Sequence, residues 1–185
     1  KIRSEKYNGG ICAVANHVSD FCNHAYIITY LGEVENEKDF IVQSVNPNCE
    51  LFTIIKPDSP TIKKTRFVDN YTGTKTLGVY DLNDELLKSP QDVAVIRKFE
   101  KLAAKSDVVI TADYGHGLIT PKIVKHIEQK SRFLAVNTQL NASNISYHSI
   151  SKYHSANYIC IHEGELRHDY RNRTDSLENL VIDLS

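Results

Sequence analysis

The stretch SDVVITADYGHGLITPK, residues 106–122, decides the fold. Val108-Val109-Ile110 is a short apolar run of β-branched side chains between polar neighbours, which predicts a buried strand. It runs out into Asp113-Tyr114-Gly115-His116-Gly117, where two glycines allow a sharp turn and a close backbone approach. Thr120 and Pro121 then supply an N-cap and a first helical residue. The unit is strand, carboxylate, glycine loop, helix. In an open α/β sheet, ligands bind at the carboxyl ends of such strands, so a cleft is expected beside Asp113. An ordinary βα connection with a capped helix has the same spacing, and the stretch alone leaves both readings open.

Downstream, the pattern repeats. A helix is expected from Pro121 to about Lys130, with Ile123, Val124 and Ile127 inward. Residues 133–136 read as a strand ending in Asn137-Thr138-Gln139, and residues 141–152 as a polar loop with a short helix. A strand over 158–161 ends in His162-Glu163-Gly164-Glu165, where a helix over 163–170 begins. A last helix covers 175–184. Strand and helix alternate from residue 90 on, which predicts a parallel sheet with right-handed crossovers. Asp113, Asn137, His162 and Glu165 then fall on one edge of that sheet.

Upstream, Ser89 is the expected cap of a helix with Pro90 at its first position and Asp92 in its first turn. Val95, Ile96, Phe99, Leu102 and Ala103 form its apolar stripe, which is core. Residues 61–69 and 75–82 read as two polar-alternating strands joined by Asn70-Tyr71-Thr72-Gly73-Thr74, a hairpin. Lys63, Lys64 and Arg66 make one side of it basic. A half-exposed hairpin between βα units suits a lid over a cleft; for Lys63 and Lys64 a solvated strand face is the commoner explanation. Residues 26–31 and 51–55 are strands, and a short helix is expected near 37–44. Residues 11–23 form a one-faced helix behind Gly9-Gly10. The free amides at such a helix start favour a polar or anionic ligand, although a plain turn is the commoner use of two glycines.

The 185 residues suffice for one domain with a sizeable core. With 22 basic and 23 acidic residues and no basic stripe, the chain carries no nucleic-acid signature. No apolar run reaches membrane length. Cys12, Cys22, Cys49 and Cys160 are scattered without a Cys-x-x-Cys pair and read as reduced thiols of a cytoplasmic protein. His162-Glu163 opens like a zinc-protease helix, but Leu166 stands where its second histidine belongs. The P-loop, dinucleotide and nucleophile-elbow motifs are missing as well. The sequence starts at Lys1 and contains no methionine, which suggests a fragment.

Taken in order, Gly9-Gly10, the strand to Leu31-Gly32-Glu33, PTIKKTRFVD, VVITADYGHGLITP, FLAVNTQ and YICIHEGELR resemble the PfkB (ribokinase-like) carbohydrate kinase family. The nearest branch is the sugar kinase domain of heptose 7-phosphate kinase/adenylyltransferase-like bifunctional proteins. The resemblance covers nearly the whole chain and is most specific over 60–69 and 113–121. It implies a Rossmann-like (ribokinase-like) parallel sheet with flanking helices and a small β-hairpin lid at about 61–82, an incomplete domain. It also implies ATP-dependent phosphorylation of a sugar or sugar phosphate, with Mg²⁺, in heptose or surface polysaccharide synthesis.

Residue by residue, Gly9, Gly10, Arg66 and Asp113 match the substrate side, and Asn137, His162 and Glu165 the nucleotide and magnesium side. Glu165 suits that place because Mg²⁺ prefers oxygen ligands, often through water. A homodimer through the lid and a fused nucleotidyltransferase domain are further implications. The chain also departs from the family. Ala13 stands nearest an expected asparagine, His162 replaces the asparagine of an Asn-x-x-Glu motif, and the Gly-Ala-Gly-Asp segment that carries the general base is absent. The expectation is therefore a fragment of a kinase, not competent alone. The alternative, favoured by Ala13 and His162, is a non-catalytic sugar- or nucleotide-binding module.

Overall fold

The computed structural model describes residues 3–34, 37–141, 144–145 and 148–184. The chain divides into two compact units, Lys1–Leu87 and Lys88–Ser185.

The first unit holds α1 (Gly10–Ser19), β1 (Ala25–Val34), α2 (Lys38–Ser44), β2 (Cys49–Pro60), β3 (Lys63–Val68) and β4 (Lys75–Asp81). β1 and β2 pair in parallel, from Ala25 opposite Cys49 to Gly32 opposite Lys56. Cys12 and Ala15 of α1 and Ile27, Tyr30 and Leu31 of β1 are buried and form its core. α1 stops at Ser19, short of the expected residue 23. Two of its last four carbonyls are taken by side chains, Asn46 Nδ2 donating to Asn16 O and Asn48 Nδ2 to Ser19 O at 2.8 Å, while the Asp20 and Phe21 amides donate to His17 O and Val18 O.

β2 runs well past its expected end at 55, through a polar segment with two prolines. Gly32 explains this. A Cβ at that position would lie 2.1 Å from the Pro60 carbonyl carbon and 2.3 Å from Ser59 O, so the two backbones meet where only glycine has room. The register then slips, and Val34 faces Pro60. Gly32 N donates to Thr61 Oγ1 at 3.0 Å, which holds the chain as it turns into the hairpin.

The hairpin is the expected one. β3 and β4 are antiparallel, with Lys63 opposite Asp81 and Phe67 opposite Leu77. Asp69 closes the tip by accepting from Tyr71 N, Thr72 N and the Thr72 hydroxyl. Phe67, Leu77 and Val79 share one face and stay about half exposed.

The second unit holds α3 (Ser89–Ala103), β5 (Val109–Asp113), α4 (Pro121–Lys130), β6 (Leu134–Thr138), a 3₁₀ turn (Ile150–Lys152), β7 (Tyr158–Ile159), α5 (Glu163–Tyr170) and α6 (Leu177–Leu184). β5, β6 and β7 are parallel neighbours in that order. Val95, Ile96, Phe99 and Leu102 of α3, Ile123, Val124 and Ile127 of α4, and Leu134 and Val136 of β6 are its buried core. The class is the expected one: parallel strands, flanking helices and a small hairpin.

One local reading is corrected, and Asp92 lies in the first turn of α3 as expected. Ser89 is the first residue of α3 rather than its cap; Lys88 holds that position and makes no side-chain cap bond. Asp92 is buried and accepts from the Thr120 hydroxyl at 3.1 Å, while the same hydroxyl oxygen caps α4 by accepting from Ile123 N. Asp92 therefore joins the starts of two helices.

Gly32→Ala should cost more than about 3 kcal/mol, because the methyl group meets backbone that cannot rotate away. Urea denaturation of the variant beside the wild type measures this; a loss below about 1 kcal/mol would contradict the close approach.

Candidate functional site at the carboxyl edge of the parallel sheet

The strand register brings the expected residues of the second unit to one edge. Ala112 lies opposite Asn137, Asp113 opposite Thr138, and Val136 opposite Ile159. Cys160 N still donates to Val136 O, so His162 follows two residues beyond the ladder.

Asp113 faces inward and is 3% exposed. Its Oδ1 accepts from Gly115 N at 3.0 Å and its Oδ2 from the Tyr153 hydroxyl at 2.8 Å. Lys152 forms an ion pair with Oδ2 and also donates to Ile119 O. A buried carboxylate needs such partners. Both carboxylate oxygens are thus engaged by groups of the same unit. Gly115 and Gly117 take φ values of +68° and +84°, which favour glycine. A Cβ at Gly115 would also strike Asn144 Nδ2 at 2.5 Å and His148 Cγ at 2.9 Å.

Those two contacts come from residues that sequence reasoning left in a polar loop. Asn144 is fully buried. Its Nδ2 donates to Tyr114 O and Gln139 O, and its Oδ1 accepts from Asn141 N. Buried His148 donates from Nε2 to Asp113 O at 3.0 Å. With Tyr153 and Lys152 they wrap the glycine loop. A polar run gave no local signal of this, since burial here is set by the distant strand that the run folds over.

At the ends of β6 and β7 the expected nucleotide-side residues form staples. Asn137 Nδ2 donates to Cys160 O at 2.7 Å. The Glu165 carboxylate accepts from Leu140 N with one oxygen, at 2.9 Å, and from His162 N with the other, at 2.8 Å. His162 Nδ1 accepts from Gly164 N at 3.0 Å, which completes a capping box on α5. The imidazole nitrogen thus does what an asparagine amide oxygen would do. In the neutral ring this leaves Nε2–H as an outward donor. Each carboxylate oxygen of Glu165 and Oδ1 of Asn137 retains acceptor capacity, the chemistry that suits a hydrated magnesium ion. Among the described residues no group of three or more His, Cys, Asp or Glu side chains is placed to hold a metal ion directly.

The remaining expected residues lie in the first unit. Gly9 caps α1 with ordinary φ of −71°, and among the described residues no side-chain cap bond is made and a Cβ there would find nothing within 4 Å. The amides of Gly10 and Ile11 precede the first helical hydrogen bonds, which Cys12 and Ala13 donate to Gly9 O. Arg66 is exposed on β3, opposite Gly78. Lys64, two residues before it, has its ammonium pulled below the ordinary lysine value by burial and then by the Arg66 charge.

No family model matches the chain. Over 180 residues, 97% of its length, the chain is 22% identical to the bifunctional protein HldE of Bradyrhizobium diazoefficiens, of which it spans 36%. Its fold is similar to that of ribokinase from Giardia lamblia, with a TM-score of 0.58 and 14% identity; the match covers 86% of this chain and 48% of that one. The chain thus spans about a third of its curated relative and about half of the ribokinase. These likenesses bear out the resemblance to the PfkB, ribokinase-like kinases and give the chain a ribokinase-like fold. Among the described residues no helix is long and apolar enough to cross a membrane.

Tyr153→Phe should destabilise the protein by about 1.5–3 kcal/mol, because it strips a hydrogen bond from a buried carboxylate. Burial, and then the Asp113 charge, hold the Tyr153 hydroxyl above its ordinary value of 10.0. A raised folded value means that this stabilisation is complete below pH 10 and is lost as the pH climbs beyond it. Wild type should therefore lose stability above pH 10 more steeply than Tyr153→Phe in parallel urea titrations. Parallel slopes would remove Tyr153 as the cause.

Proposed function

We propose, with the ribokinase-like fold as premise, that this chain is part of an ATP-dependent sugar or sugar phosphate kinase. The reaction moves the terminal phosphoryl group of ATP to a sugar hydroxyl. The observation that carries this reading is the single sheet edge where Asn137, His162 and Glu165 gather beyond two parallel strands, the edge at which α/β sheets bind ligands. Asn137, His162 and Glu165 would hold Mg-ATP, and magnesium would neutralise charge on the transferred phosphoryl. Gly9, Gly10 and Arg66 would hold the sugar: open helix amides and a guanidinium both favour oxygen-rich or anionic groups. The loop braced by Asp113 would form a wall of the cleft. No Gly-Ala-Gly-Asp segment occurs in the sequence, so no residue here is assigned as general base.

Similarity to a bifunctional protein supports a second, nucleotidyltransferase domain in the parent and a role in heptose or surface polysaccharide synthesis. The half-exposed face of Phe67, Leu77 and Val79 supports a homodimer formed through the hairpins. A cytoplasmic location goes with the unpaired cysteines.

A second reading is a non-catalytic sugar- or nucleotide-binding module. Ala13 and His162 favour it, as does the use of Asn137 and Glu165 as internal staples.

In the full-length parent, Arg66→Ala should raise the sugar KM at least about tenfold with a smaller change in kcat, as loss of a substrate contact does. Unchanged sugar kinetics would take Arg66 out of the site. Titration of the parent with ATP and Mg²⁺ separates the two readings: phosphate transfer to a sugar supports the kinase, and metal-independent binding without turnover supports the module. Sedimentation of Phe67→Lys should show a shift from dimer to monomer; an unchanged mass would remove the hairpin from the interface.

A further inference from the structure

Lys56 is the only lysine or arginine among the described residues that is buried, at 5% exposed. It sits near the end of β2, and nothing in the proposed chemistry uses it. Burial lowers the ammonium from the ordinary value of 10.5, while the charges of Glu85 and Asp84 partly restore it. A buried ammonium persists only where its donors are satisfied. Lys56 Nζ donates to the carbonyls of Asn83 and Glu85, both at 2.6 Å, and lies 5.1 Å from the centre of the Tyr30 ring.

Those two carbonyls belong to the segment that follows β4. They are the returning root of the hairpin. Asn83 also donates from Nδ2 to Ser59 Oγ at 3.0 Å, and its Oδ1 accepts from Glu85 N at 2.9 Å. Ser59, wholly buried, belongs to the outgoing root. That root is held separately, by Gly32 N on Thr61 Oγ1 and by Thr61 N on Val34 O. Past the roots, the strands of the hairpin pair only with each other among the described residues, and its apolar face is half exposed. An isolated two-stranded hairpin is marginal in water. Its order must come from its roots.

We propose that Lys56 is a positioning residue for the hairpin: its ammonium gathers the Asn83 and Glu85 carbonyls onto β2, and so holds β3 and β4 together and gives Arg66 a fixed base. One cation with several donors can collect both carbonyls at 2.6 Å, closer than the Tyr30 hydroxyl of β1, which reaches Asn83 O at 3.4 Å. An apolar residue would fill the space, take the Lys56 donor from the Glu85 carbonyl and leave the Asn83 carbonyl the longer contact, at 3.4 Å, from the Tyr30 hydroxyl.

Amide hydrogen exchange on this chain, without nucleotide or sugar, tests the proposal. Lys56→Met keeps the stem and removes the donors. The amides of Lys63–Val68 and Lys75–Asp81 should exchange at least about tenfold faster, while those from Ile27 to Leu31 in β1 stay within about twofold of wild type. Lys56→Gln keeps one neutral donor group and should give a smaller, equally local effect. Uniform acceleration across both regions, or an unaltered hairpin, would overturn the proposal. So would failure of both variants to fold, since Lys56 would then support the whole unit. The readout needs no turnover, so it stands or falls apart from the kinase reading.

Discussion

A strand that leaves its ladder exposes carbonyl and amide groups that must still find partners. That constraint organises both units. In the first, the returning hairpin segment satisfies its carbonyls on Lys56. In the second, the strand ends satisfy theirs on side chains of neighbouring connections: Asn144 serves Tyr114 and Gln139, His148 serves Asp113, Asn137 serves Cys160, and Glu165 serves Leu140 and His162. The ladders alone would leave these loops to solvent. With the side chains, each loop has a defined path at the edge where α/β sheets take ligands.

The same side chains carry two kinds of meaning. Asn137 and Glu165 belong to the expected nucleotide side, yet both also fix the spacing of the loops after β6 and β7. These roles are compatible, because a carboxylate oxygen that accepts one amide keeps a lone pair for water or another donor. A preorganised carboxylate is also the better ligand, since its orientation is settled before anything binds. His162 makes a related point. As a substitution for asparagine it looks like a loss, but the backbone needs only an acceptor there, and Nδ1 provides it.

Much of the fold was legible because it rests on local chemistry. Thr120-Pro121 announced the start of α4, its end at Lys130 followed from the apolar spacing, and the span of α5 agreed with the expectation. The hairpin was visible from its alternation and its turn residues. What stayed hidden was long-range. Nothing local distinguishes Asn144, fully buried, from an exposed asparagine in a polar loop, or Lys56 from a solvated lysine. The extension of β2 through Lys56-Pro57-Asp58-Ser59-Pro60 was invisible too. Its composition reads as a turn, and only the partner glycine on β1 lets it pair. Of the candidate site, the sheet edge was legible and the inward engagement of Asp113 was not, because an aspartate at a strand end carries no mark of which way it turns.

Gly9 and Gly32 differ in who demands them. At Gly32 the protein's own backbone occupies the space of a side chain; at Gly9 none of the described residues comes near, and φ is one that any residue adopts. A library randomised at both positions and selected only for folding would return a single letter at 32 and a broad alphabet at 9. Any narrowing at 9 under selection for function would then be the imprint of a molecule outside the chain. The allowed alphabet at that one position becomes a record of the ligand's shape.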